Sequence, residues 1–324
     1  MRALKLPSLD WFLLGMVAAV VVASLWPELG RSQGPLHLGV VTDWGVWGLF
    51  FLHGMALSTD SLKDGASRWK LHLLVQSCTY IWFPVWWALW ASLLGAWVSH
   101  ELLMGFFFLA VLPSTVSSSV AMTALARGRV AAAVLNATLS TLLGVFLTPL
   151  LVSVVMGSQQ GDAMHVGDTM WKIARMLLLP FALGHLLRPW LLPWFTRIKP
   201  FTNVFDRWVI VLLVWSAFSD SVADGLWRQH GVGLLLQALV GVGLFLIPTL
   251  WGSRWVARRL GMDVEDEIVA VFCGSKKTMA SGMPMAKLLF GGQPAMGVLI
   301  LPIMIYHQVQ MFVCIRRIAR ILVW

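Results

Sequence analysis

The sequence predicts an all-α polytopic membrane protein: ten transmembrane helices in two inverted five-helix repeats, with helices four and nine discontinuous and crossing. Three observations predict it. Apolar runs of about 20 residues recur along the whole chain, the length needed to span a bilayer. Charged residues make up 12% of the sequence, roughly half the share in a soluble domain. Finally, a loop motif recurs in two halves of opposite orientation, and one apolar run in each half is interrupted at a corresponding place.

The spans fall near 11–26, 38–58, 69–98, 102–126, 129–156, 169–192, 203–219, 230–256, 265–290 and 294–322. The first follows Arg2 and Lys5 and ends at Trp26-Pro27 with no small-x-small cleavage site behind it, so it reads as a retained helix rather than a signal peptide. The third is long enough to tilt or to emerge from the bilayer. Tryptophans gather near segment ends, as an interfacial belt requires, and the stripe Trp82, Trp86, Trp90 and Trp97 suits lipid or a neighbouring helix rather than a ligand. Connections are short. Most Lys and Arg fall in the even-numbered connections and the termini, among them Lys63, Arg68, Arg127, Arg129, Arg254, Arg258 and Arg316; the other side holds Arg31, Lys172, Arg175, Arg228 and Lys287 at most. That asymmetry puts both termini in the cytoplasm, and it accounts for the net charge of +9 without a nucleic-acid partner.

The repeat is Ser61-x-x-Asp64-Gly65-x-x-Arg68, which returns as Ser221-x-x-Asp224-Gly225-x-x-Arg228; Gln76 and Pro84 have loose counterparts in Gln237 and Pro248. The copies precede spans three and eight. Five spans lie between them, an odd number, so the halves 1–156 and 157–324 are inverted.

The same offset pairs two interrupted spans. Span four carries Pro113-Ser114-Thr115-Val116-Ser117-Ser118-Ser119, and span nine carries Gly274-Ser275-Lys276-Lys277-Thr278, with Ser275 and Thr278 matching Ser114 and Ser117. Proline removes a backbone donor and glycine weakens a helix. Where discontinuous helices cross, half-helix N-termini and nearby hydroxyls form the binding site of many transporters. A lysine in hydrocarbon costs about 2.5–3.5 kcal/mol on insertion scales, so the pair Lys276 and Lys277 marks function. Either lysine could neutralise an anionic substrate or take the place of an inorganic cation, and one could instead reach backbone carbonyls at the broken helix ends. Neighbouring candidates are Asn136, in the run Asn136-x-Thr138-x-Ser140-Thr141, then Gln76 in span three, and His307 in the cluster Tyr306-His307-Gln308-x-Gln310. His53 reads first as an interhelix hydrogen bond and second as a proton relay. Cys78, Cys273 and Cys314 form no metal-binding or redox spacing, and no protease or nucleotide-binding motif is present, so neither cofactor nor catalysis is expected.

These residues resemble a known family. Pro113–Ser119, then Leu125-Ala126-Arg127-Gly128 and Thr148-Pro149-Leu150, resemble the bile acid:sodium symporter family; Leu52-His53-Gly54-Met55-x-Leu57-Ser58 and Gly274-Ser275-Lys276-Lys277-Thr278 resemble the branch named for sodium/bile acid cotransporter 7 and its bacterial relatives. The resemblance covers essentially the whole chain. It implies a panel of spans one, two, six and seven and a core of spans three to five and eight to ten, with alternating access by movement of one against the other. It further implies residence in an inner (plasma) membrane and a small organic anion as cargo.

Sodium, the ion this resemblance implies, meets an altered site. Sodium-coupled members resemble Glu-x-Gly-x-Gln-Asn in span nine, where this chain has Phe272-Cys273-Gly274-Ser275-Lys276-Lys277, and hydroxyl ligands of span five fall on Ala133 and Ala137. An ammonium 4 Å from a sodium ion repels it by about 4 kcal/mol at an effective dielectric of 20. The expectation is that a tethered ammonium replaces at least one sodium. A non-transporting sensor that binds a ligand at the same crossing is the alternative, and solute counterflow separates the two. Oligomeric state is not legible.

Overall fold

The computed structural model describes residues 11–56, 68–160, 163–290, 293 and 295–321, and every regular element among them is helical. In chain order they are α1 Trp11–Leu25, α2 Pro27–Gly30, α3 Leu38–Ala56, α4 Trp69–Ser77, α5 Phe83–Leu94, α6 His100–Val111, α7 Val116–Leu125, α8 Val130–Gln160, α9 Ala163–Ala223, α10 Leu226–Arg259, α11 Val264–Ser275, α12 Met279–Phe290 and α13 Met296–Ile321. A π-helical turn, Cys78–Trp82, joins α4 to α5. By length and apolarity, Val130–Val155, Gly233–Arg259 and Met296–Cys314 each suffice to cross a membrane, and the bent pair Leu178–Thr202 with Val204–Ala223 passes as one unit.

Both expected interruptions are present. Residues 112–115 separate α6 from α7, and residues 276–278 separate α11 from α12. One boundary differs from expectation. The connection expected between spans six and seven is helical, since α9 runs through Pro180, Pro189, Pro193 and Pro200. The chain turns instead by a 54° bend after Thr202, where a proline two residues back has removed an amide from the ladder. The first copy of the loop motif lies outside the described residues except for Arg68. In the second copy Gly225 takes φ 77°, a left-handed turn that a side chain would strain, at the start of α10.

Packing falls into two groups. α9 packs on α3 and α1, and α10, α11, α13 and α6 pack on one another around the breaks. The α3–α9 crossing is close because both helices present glycine. A Cβ on Gly54 would lie 2.0 Å from Phe181 O, and one on Gly184 would lie 2.0 Å from Phe51 O. Small residues that let backbones touch are how membrane helices associate without a hydrophobic drive. At the start of α11, Asp263 caps the helix by accepting from Asp266 N–H at 2.8 Å. Arg129 Nη2 donates to Asp263 and Glu265 at 2.9 Å, and Arg68 reaches Asp266, which ties this end to the α7–α8 turn and to the start of α4.

Candidate functional site

Pro113 ends α6 and strips the helical donors from the carbonyls ahead of it. Each of the freed carbonyls finds another donor. Lys277 Nζ donates to Ala110 O at 2.7 Å and Leu112 O at 2.8 Å. Thr148 Oγ1 donates to Val111 O at 2.7 Å, and Thr278 N–H donates to Pro113 O at 2.9 Å. The displaced Ser114 N–H donates to Ser140 Oγ at 2.9 Å. The second break is closed in the same way: Ser114 Oγ donates to Cys273 O, while Tyr306 Oη and Gln310 Nε2 both donate to Ser275 O, all at 2.7 Å. The two interrupted helices therefore meet, and each supplies donors that the other lacks.

Lys277 has a third partner, Thr79 O at 2.9 Å. The π turn explains why that carbonyl is free. Phe83 N–H donates to Cys78 O instead, and the next residue, Pro84, has no N–H. Three ammonium protons thus meet three orphaned carbonyls, with the Phe83 ring 4.0 Å from Nζ. The Lys277 amine joins the π turn, the end of α6 and the break before α12. Lys276 has a different setting. It is fully buried, and its Nζ contacts Met311 Sδ at 3.3 Å, a weak acceptor, with no oxygen partner among the described residues.

A cavity of about 540 Å³ opens beside the crossing. One wall is made from the breaks and from α8: Thr115, Val116, Thr278, Ala280 and Ser281 with Val134, Thr138, Thr141 and Leu142. The facing wall comes from α3 and α9: Leu52, His53, Ala56, Phe181, Arg188, Phe195, Lys199, Thr202 and Asp206. Thr115 makes no side-chain cap to α7, so the first amides of that half-helix stay open at the cavity wall. Thr278 Oγ1 accepts from Ser281 N–H at 3.4 Å at the start of α12. Volume, hydroxyls and apolar lining together suit an amphipathic molecule whose anionic end meets the two helix starts and two cations.

Of the sequence-predicted site residues, Thr115 and Thr278 line this cavity. Ser114, Ser275 and Lys277 build the crossing beneath it, Ser119 Oγ lies 3.5 Å from Ser114 Oγ, and Ser118 Oγ is buried without a hydrogen-bond partner. The side chain of Ser117 lies outside the described residues. Asn136 Nδ2 donates back to Ala132 O of its own helix at 3.0 Å, and its Oδ1 is buried with no hydrogen-bond partner among the described residues. Gln76 reaches the same turn of α8 from the other side, donating to Asn136 O at 3.1 Å, whereas Gln237 is exposed and donates to Trp97 O. His307 turns its ring edge-to-face toward Phe12 of α1, while Tyr306 and Gln310, one turn apart on α13, reach the break. Trp82 and Trp86 serve packing, donating to Thr249 Oγ1 and Leu244 O of α10. The residues missed from sequence are Arg188, Lys199 and Asp206. Arg188 falls near the end of expected span six, Lys199 in the expected connection and Asp206 in span seven, and the helical course of α9 through that connection brings all three to the cavity.

The chain is similar to known proteins over nearly its whole length. An uncharacterized protein of Pseudomonas aeruginosa is 44% identical over 305 residues, covering 94% of this chain and 90% of its own. YfeH of Escherichia coli (strain K12), whose name proposes a symporter, is 42% identical, covering 94% and 91%. Sodium/bile acid cotransporter 7 of Rattus norvegicus is 28% identical, covering 96% and 92%. The profile of the SBF-like CPA transporter family matches residues 10–321, nearly the full length, so the chain belongs to that family: it is a multi-pass membrane transporter and not an enzyme.

Proposed function

We propose that the protein is a secondary transporter that carries a small organic anion by alternating access, with ten spans in two inverted repeats. One observation carries the proposal: a single cavity is walled on one side by the starts of two half-helices and on the other by Arg188 and Lys199. Helix N-termini and cations favour the same charge sign. In this reading α1, α3 and α9 form the panel and the remaining long helices the core, with both termini in the cytoplasm of a cell bounded by an inner membrane. The cavity then opens to the cytoplasm, where the loop cations lie. At the opposite end panel and core are latched. Lys287 Nζ of α12 pairs with Asp43 Oδ1 at 2.7 Å, donates to Gly39 O at 2.6 Å and also reaches Thr42 Oγ1 of α3. Ser221 Oγ of α9 accepts from Gly297 N–H of α13 at 2.8 Å. Such a state is inward-facing.

Sodium does not drive this cycle in the proposed mechanism. The backbone carbonyls at the crossing that would ligate an ion are already engaged by Lys277, Ser114, Tyr306 and Gln310. Lys277 supplies a tethered amine in place of a dissociable ion. The test is counterflow of labelled taurocholate in proteoliposomes, in sodium and in choline media. Exchange at equal rates in both supports the mechanism; a steep rise with sodium that persists in Lys277→Gln contradicts it. Binding with no exchange favours a sensor.

A further inference from the structure

His53 and Asp206 stand in the cavity wall opposite the helix breaks, and neither the crossing nor the anion site uses them. His53 Nε2 of α3 lies 3.3 Å from Asp206 Oδ2 of α9. Both residues line the cavity, and both are partly exposed to it. The other polar atom of each, His53 Nδ1 and Asp206 Oδ1, is buried without a hydrogen-bond partner. Buried polar atoms are nearly always paired, so a dyad with one open site on each member invites a mobile proton.

We infer that the His53–Asp206 pair is the proton site of this transporter and that it couples one proton to the anion in the cavity, a role that rests on the transport reading above. Imidazole is the side chain whose charge changes in the physiological pH range. With Nε2–H donated to Asp206, the buried Nδ1 keeps its lone pair; it takes a proton when a movement of the cavity wall lets water reach it, and returns that proton to water when the cavity faces the other side. No bond other than N–H forms or breaks. The charged groups facing the pair come from α9: Arg188, whose Nε donates to Met55 O, and Lys199. Arg207 is stacked over Trp11 and Phe12, and the backbone of His185 abuts Gly54. The opposite wall brings Thr115, Thr278 and Ser281 and no titratable side chain among the described lining residues. Protonation therefore adds one positive charge to a pocket built for an anion. Proton and anion each strengthen the other's binding by the same factor. Co-transport of one of each leaves the membrane potential out of the cycle for a monoanion.

The test follows ¹⁵N-histidine resonances of the full-length protein in nanodiscs between pH 5 and 8.5, with His53→Gln assigning the signal. A His53 signal that titrates, and that 1 mM taurocholate moves to higher pH by one unit or more (a tenfold linkage), supports the inference. Asp206→Asn should displace the same titration with the melting temperature unchanged; the response to taurocholate, rather than this displacement, separates a proton site from a structural hydrogen bond. A His53 signal that fails to titrate, or that titrates indifferently to taurocholate, overturns it. Taurocholate counterflow is scored separately: linkage without counterflow removes the transport reading and keeps the proton site, and counterflow without linkage does the reverse.

Discussion

Substituting the two adjacent lysines by methionine should give opposite results. Methionine keeps the length and apolar stem of lysine and removes the ammonium. In Lys277→Met, the carbonyls of Thr79, Ala110 and Leu112, all on fully buried residues, lose the one side-chain donor they have among the described residues. An unsatisfied buried acceptor costs about 1–3 kcal/mol, so the three together set a loss of roughly 3–9 kcal/mol. The relief of no longer burying a cation offsets part of this. A net destabilisation of about 3 kcal/mol is expected, on the order of 5–10 °C in melting temperature. Lys276→Met removes an amine whose one hydrogen-bond acceptor among the described residues is the Met311 sulfur, so its stability should stay within about 1 kcal/mol of the parent or rise. The assay is thermal unfolding in detergent, followed by size-exclusion recovery. Equal melting temperatures for Lys277→Met and the parent, or equal losses for both variants, would refute the assignment of Lys277 as the amine that ties the π turn to the end of α6.

Three other outcomes follow from geometry. Gly54→Ala places a methyl 2.0 Å from Phe181 O, backbone that cannot rotate away, and should cost about 2 kcal/mol or more; Gly243→Ala, with open space at its Cβ, should be neutral in the same melt. Lys287→Met removes the latch to Asp43, so a cysteine placed at Ser281 should react with an impermeant maleimide from the outer face about tenfold faster, the population shift expected for losing one charge-assisted bond; an unchanged rate argues that the latch holds nothing. Arg188→Gln should weaken taurocholate binding about tenfold with little change in melting, and equal affinity would separate Arg188 from the anion site.

The breaks were legible because proline and glycine act locally. Pro113 ends α6 wherever the chain goes next, and the charges of Lys276 and Lys277 cannot lie in lipid. Sequence also allowed that one lysine reaches carbonyls at broken helix ends, though not which one. That depended on Thr79 O, orphaned by a π turn whose only sequence trace is Pro84. Asn136 shows the limit from the other direction. An amide in a polar run looks like a ligand, yet the nearest acceptor is its own helix one turn back, and nothing in the spacing says which it will choose. His307 was one residue off a face that Tyr306 and Gln310 share, a difference of about 100° around the helix that depends on how α13 is rotated. Arg188, Lys199 and Asp206 escaped notice because the first and last lay in expected spans six and seven and the second in the connection between them, and only the helical course of α9 through that connection puts all three on one cavity wall.

The three bonds of Lys277 also bear on how the chain is made. Its partners lie 165, 167 and 198 residues earlier in the sequence. At 5–20 residues per second, roughly 10–40 s pass between synthesis of those carbonyls and arrival of the amine that satisfies them. During that interval the carbonyls of Thr79, Ala110 and Leu112 lack the donor that the finished fold gives them. A nascent chain arrested before residue 277 is therefore expected to leave these acceptors exposed until the amine arrives.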